Sequence, residues 1–127
     1  MMQRRNKMRT IGMGLAAVLM GALLPAGAHA EELLFRNETN GPIIIQAACV
    51  VRGVLRRDRP YLLKPGDATP AIVLPGNKLI TIYDGLNTNR VIFQGTIPGG
   101  LGNQAFGVGI DPTGGVMVSP KAMPPGP

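Results

Sequence analysis

Nucleophilic and acid–base chemistry in proteins leans on histidine, and this sequence holds one, His29, beside a single cysteine, Cys49, and a single serine, Ser119. His29 lies in a segment read below as a leader, so the exported chain keeps no histidine. Ser–His and Cys–His catalytic pairs, histidine-ligated zinc and the easiest general base at neutral pH are lost with it. The remaining acids are Glu31, Glu32, Glu38, Asp58, Asp67, Asp84 and Asp111, mostly at termini and turns. Nothing in their spacing sets two carboxylates up as an acid–base pair. Asp84, Asn87 and Asn89 offer one carboxylate and two amides, few for a calcium ion that takes about six to eight oxygens, and read as a polar hairpin loop. Gly100-Leu101-Gly102-Asn103-Gln104-Ala105 fits a loose dinucleotide fingerprint. That fingerprint needs a following helix to hold the pyrophosphate, whereas Phe106-Gly107-Val108-Gly109 reads as strand. No catalytic residue, metal site or cofactor is expected.

Binding by charge is the chemistry that remains. Arg52, Arg56, Arg57 and Arg59 place four guanidinium groups within eight positions, balanced only by Asp58. Arginine forks suit carboxylate, sulfate or phosphate oxygens, so an anionic envelope component or an acidic protein is the candidate partner. The competing reading is a solvated loop between two strands. Nucleic acid is not expected, because export removes the protein from it and the exported chain has a small net charge. Phe35, Tyr61, Tyr83, Phe93 and Phe106 are the only aromatics. Most fall at core-facing strand positions, which leaves little for a sugar platform. Asn37-Glu38-Thr39 is a glycosylation sequon by pattern. Cys49, with no second cysteine to pair with, reads as a small buried hydrophobe.

The leader is legible in three parts. Arg4, Arg5, Lys7 and Arg9 come first, then the apolar run from Ile11 to Leu24, then Ala28-His29-Ala30 ahead of Glu31. This is the pattern of a secretory signal peptide cleaved after Ala30. The apolar run spans roughly 21 Å as a helix, short of the ~30 Å hydrocarbon core, so no membrane span is expected after cleavage. The protein is placed in the periplasm or outside the cell. Removing residues 1–30 leaves 97, enough for one small domain.

In those 97 residues, β-rich runs alternate with Gly and Pro turns, and no window of ten residues or more reads as an amphipathic helix. Leu33–Arg36, Ile43–Val51, Tyr61–Leu63, Ala71–Leu74, Lys78–Tyr83, Arg90–Thr96, Ala105–Ile110 and Val116–Ser119 are the expected strands. Ile43–Val51 is apolar on both faces, as a central strand covered on two sides would be. Lys64-Pro65-Gly66-Asp67 has type II turn chemistry. About seven short strands predict a small antiparallel β-sandwich over 31–119, with a small β-barrel as the alternative. Residues 120–127, with four prolines, are expected to be an unpacked tail.

The order of strands and turns from Phe35 to Thr96 resembles the β domain of the von Hippel–Lindau tumour suppressor type. Asn37-Glu38-Thr39 follows an apolar strand, Pro42 opens Ile43–Ile45, and Leu63-Lys64-Pro65-Gly66 precedes Pro75-Gly76. Leu79–Asp84 and Val91–Phe93 complete the pattern. The resemblance implies a prealbumin-like sandwich and a habit of binding extended protein segments. In that family a Tyr, a Ser, a His and a Trp cage a hydroxyproline. Tyr61 lies within one residue of the first, but the others fall near Val73, near Asn77 or Lys78, and near Ile80. Hydroxyproline recognition is therefore not implied. The sequence as a whole reads as an exported, monomeric interaction module with Arg52, Arg56, Arg57, Arg59 and Tyr61 as candidate contacts. A small histidine-free enzyme or ligand carrier using carboxylates and arginines is the alternative.

Overall fold

The computed structural model describes residues 30–124, so the expected leader (apart from Ala30) and the last three residues of the tail lie outside the described residues. Alternating apolar residues and intervening turns divide this stretch into β1 (Ala30–Asn37), β2 (Ile43–Val51), β3 (Val54–Arg57), β4 (Tyr61–Leu63), β5 (Ile72–Pro75), β6 (Lys78–Asp84), β7 (Val91–Ile97), β8 (Gln104–Ile110) and β9 (Val116–Lys121). The turn after β4 closes through the Asp67 N–H donating to Lys64 O at 2.9 Å, with Gly66 at φ +87°. A type II turn needs that positive φ, and glycine supplies it without steric cost.

The strands form two sheets facing one another, a β-sandwich. One runs in the order β5-β1-β8-β9 and the other β3-β2-β6-β7, with β4 also on β2. β6 pairs with Ile43–Cys49 of β2, while β4 and β3 share the opposite side, at Ile43–Ile45 and Ala48–Val51. Every pairing is antiparallel except β1 with β8. A parallel pair needs a long crossover, and here most of the chain lies between its two strands. Phe35 and Phe106 sit opposite each other in it, rings stacked with centroids 5.5 Å apart.

The core lies between the sheets. Leu33, Phe35, Ile72, Phe106 and Val108 come from one side, and Ile43, Ile45, Ala47, Cys49, Ile80 and Ile82 from the other. β2 and β6 pair at the centre of their sheet, as the two most apolar runs should, and bury Ile45, Ile80 and Ile82.

Three features differ from the sequence reading. β2 is fully covered on one face only: Ile43, Ile45, Ala47 and Cys49 are buried there, while on the other face Ala48 is buried, Ile44 and Gln46 are half-buried and Val50 is exposed. The Arg52–Arg59 stretch is not simply a loop, because Val54–Arg57 pairs with β2 as β3. Arg52 at φ +52° and Gly53 at φ +78° form the two-residue turn that joins them, both in the left-handed region that a tight hairpin requires. β9 continues through Pro120 and Lys121, opposite Phe106 and Ala105, two residues beyond its expected end. Proline is tolerated there because β9 is an edge strand.

Candidate functional site

The arginine stretch does not converge on one spot. Arg52 caps the hairpin turn, and Arg56 and Arg57 are neighbours on β3, so their side chains leave the sheet on opposite faces. Arg56 lies opposite Cys49, on the core side, but β3 overhangs the core and all four of its residues are exposed. Arg57 lies opposite Ala48, on the outer side. Arg59 has turned to Tyr61, its guanidinium carbon 5.2 Å from the ring centroid, a cation–π contact. Burial, reinforced by the neighbouring Asp58 carboxylate, pushes the Tyr61 phenol above its ordinary pKa, so the phenol stays neutral at physiological pH. The candidate set thus divides into a tip (Arg52), an inner pair (Arg59 on Tyr61), a core-side charge (Arg56) and an outer-face charge (Arg57).

The positions matched to the von Hippel–Lindau-type cage also separate. Lys78 and Ile80 are buried between the sheets, and Val73 is exposed on the outer face of the β5-β1-β8-β9 sheet. Asn77 holds a turn by accepting the Gly99 N–H at 2.9 Å. Tyr61 lies opposite Ile45 on the core side of its strand and packs, half-buried, against the core.

What the structure does bring together is the outer face of the second sheet. Along β2, β3, β4, β6 and β7 the outward positions carry Val50 (57% exposed), Leu55 (43%), Leu62 (61%), Leu79 (43%) and Val91 (49%). A shallow trough of about 490 Å³ crosses this face, floored by Gln46, Ala48, Thr81 and Gln94 and flanked by Leu79, Tyr83 and Arg57. Arg57 is its only charged lining residue, and no carboxylate lines it. Its wall carries the hydroxyls of Thr81, Tyr83 and Thr96 with no carboxylate, histidine or lysine beside them to act as a base, a surface suited to contact.

Sequence reasoning missed this face because it looked for charge. The signal was present in β2, whose Ile44, Ala48 and Val50 are as apolar as its core positions. A second hollow, of about 650 Å³, lies on the outer face of the other sheet beside Leu34, Ala105 and Pro124. Glu38 and Lys121 pair at 3.2 Å along its edge, and both crowd Gly107, where any Cβ would collide with them. That hollow is partly filled by the chain itself.

The polar groups singled out earlier are used internally. Asn37 is fully buried, donating Nδ2–H to Gly41 O at 2.8 Å and Leu63 O at 3.0 Å, while its Oδ1 accepts the Thr39 N–H and hydroxyl. The amide that a glycan would need is therefore spent in the folded domain, and Thr39 serves as its partner. Asp84 accepts the Leu86 N–H at 2.9 Å and faces Arg90 at 3.5 Å, which fixes the β6–β7 loop. Gly100 and Gly102 do form an anion-holding loop, but the anion is the chain's own Glu31.

Cys49 is fully buried beside Ala47 and opposite Lys78 on β6. A thiol buried away from solvent is out of a reagent's reach and reacts slowly. The purified protein is expected to run as a monomer on non-reducing electrophoresis, with Cys49 labelled by a thiol reagent only after denaturant is added. Prompt labelling of the folded protein, or a disulfide dimer, would contradict the burial.

No family model matches the chain, and no curated protein matches it.

Proposed function

We propose that this chain is an exported, non-enzymatic β-sandwich that acts as a monomeric interaction module through the outer face of its β3-β2-β6-β7 sheet. The observation that carries the reading is the set of exposed aliphatic side chains at the two ends of that face, Leu55, Val50 and Leu79 at one and Leu62 and Val91 at the other, with the trough between them. Apolar side chains on consecutive strands of one face cost solubility and contribute nothing to the core behind them, so their retention favours a partner. Arg57 at the border, with no acid beside it on that face, favours a partner bearing carboxylates or other anionic groups next to apolar ones. The likeness to a family that binds protein segments points the same way at the level of fold.

A photo-reactive side chain placed at Leu79 tests this in cells that export the protein, with Met117 on the opposite sheet as control. A discrete cross-linked product from position 79 and none from 117 is expected. Equal products from both, or none from either, would count against the reading. Arg57→Gln should weaken the capture and reduce its salt dependence, because a charge pair near a surface is screened as the Debye length falls from about 10 Å at 0.1 M to about 3 Å at 1 M. Arg56→Gln, on the other side of β3, should change it little.

A further inference from the structure

We infer that β7 is a strand-addition site: its free edge accepts an extended peptide segment of the partner, uncharged at the side chains that lie over the core-side seam, as one more strand of the β3-β2-β6-β7 sheet. This rests on the interaction reading above and names how the partner is held. Sheet edges expose rows of unpaired N–H and C=O groups, and proteins ordinarily protect them with proline, charge or brevity. β9 ends in Pro120 and Lys121, β5 has four residues and ends in Pro75, β3 carries Arg56 and Arg57, and β4 has three residues and follows Pro60. β7 is the least protected: Pro98 follows it and its register with β6 shifts at Ile92, but its interior carries none of these devices. It runs for seven residues, Val-Ile-Phe-Gln-Gly-Thr-Ile, without a charge or a proline.

β6 occupies one side of β7, and from Phe93 to Ile97, beyond the register shift at Ile92, alternate residues of β7 direct their N–H and C=O to the other side. Among the described residues, no hydrogen bond beyond the β6–β7 ladder reaches Val91–Ile97. The side chains beside this edge are also prepared for a neighbour. Phe93 and Ile97 of β7 and Val116 and Val118 of β9 pack against the core yet stay only partly buried. They form an apolar seam where the two sheets' edges approach. The Phe93 ring lies over Gly95, about 3.0 Å from where a Cβ there would sit, so it flattens along the strand.

A strand laid beside β7 would place one set of alternate side chains over this seam and the other set beside Val91 and Thr96 at the trough. The seam dictates the chemistry of the first set: aliphatic or aromatic, with no charge to desolvate. The ladder supplies affinity through main-chain hydrogen bonds, and the alternate side chains supply selection.

The test uses the purified exported protein, isotope-labelled, and a peptide of alternating valine and threonine with a terminal lysine pair for solubility. Amide exchange is followed residue by residue. Alternate amides between Phe93 and Ile97 should slow about tenfold or more at saturating peptide, while those of β5 and β9 stay unchanged. The same peptide N-methylated at alternate amides should give no slowing. Ile97→Lys, which puts a charge in the seam, should abolish the effect. If that variant fails to fold, the N-methylated peptide still decides. Protection elsewhere, or protection that survives N-methylation, would overturn strand addition. So would a dimer whose β7 amides are slow before peptide is added, because a second copy would then hold the edge. Cross-linking from Leu79 without β7 protection would leave the interaction reading standing and remove strand addition alone.

Discussion

Glu31→Ala is expected to lower the unfolding free energy by about 3–5 kcal/mol, the usual cost of removing one partner from a buried ion pair. A domain of this size has roughly 5–15 kcal/mol in total, so denaturant melts should show a large fall in midpoint at an unchanged slope. The reason lies in what would remain. Lys78 is fully buried at a core-facing position of β6, and its ammonium pairs with Glu31 on β1, bridging the two sheets. The same carboxylate accepts the Gly102 N–H at 2.6 Å and the Gly100 N–H at 3.2 Å. Without it, a buried cation and two glycine N–H groups lose their partner together. Replacing both charged residues, Glu31→Gln with Lys78→Met, should recover much of the loss. Glutamine still accepts from the glycine loop, and the methionine needs no counter-charge. If the single variant costs under 1 kcal/mol, Lys78 reaches water and the pair is not buried in solution.

The same pair sets an acid dependence. Burial is the largest influence on the Glu31 carboxyl and raises its pKa, but Lys78 and the N–H groups of Gly102 and Gly100 together outweigh it. The folded value lies below the ordinary 4.5. A group with a lowered folded pKa contributes stability that is complete above its unfolded value and lost as the pH falls through the folded one. Wild-type stability should therefore drop as the pH is taken below 4.5. The Glu31→Gln, Lys78→Met variant should drop less. Asp111, whose pKa is also lowered, chiefly by the Thr113 hydroxyl, is present in both proteins and cancels in the comparison.

The strands were legible in the sequence where local rules decide them. Val, Ile and Thr runs bounded by Gly and Pro yield the same elements in sequence and structure, to within one or two residues except at β1, which starts three earlier. β3 was hidden because its turn is Arg52-Gly53, where asparagine or aspartate more often marks the left-handed position. Four arginines close in sequence suggested one patch, yet strand alternation separates Arg56 from Arg57, and Arg59 is held by Tyr61. A lysine in an alternating pattern reads as an outward position. Lys78 points inward because its counter-charge arrives from β1, 47 residues away. The parallel pairing of β1 with β8 is equally invisible locally, since alternation says which face is buried but not which strand lies alongside. The most informative ambiguity was β2. Two apolar faces can mean two covering layers or one covering layer and one open face, and only the assembled sandwich distinguishes them.

Ile80 and Leu79 turn that distinction into a measurement. They are neighbours on β6 with side chains on opposite faces, Ile80 buried to 1% exposure in the core and Leu79 43% exposed on the outer face. Ile80→Ala removes packing from the centre of the sandwich, where β2 and β7 flank it and cannot easily collapse inward. It should cost about 2–5 kcal/mol in denaturant melts. Leu79→Ser removes a similar volume of hydrocarbon from a side chain that water already reaches, and should cost about 1 kcal/mol or less. The two variants should also separate in function: with the photo-reactive side chain moved to nearby Leu55, Leu79→Ser should lose the cross-link that the otherwise wild-type protein gives, with nearly wild-type stability. A cost for Leu79→Ser comparable to that of Ile80→Ala would mean the outer face contributes to folding in its own right. The exposed aliphatics would then need no partner to account for them.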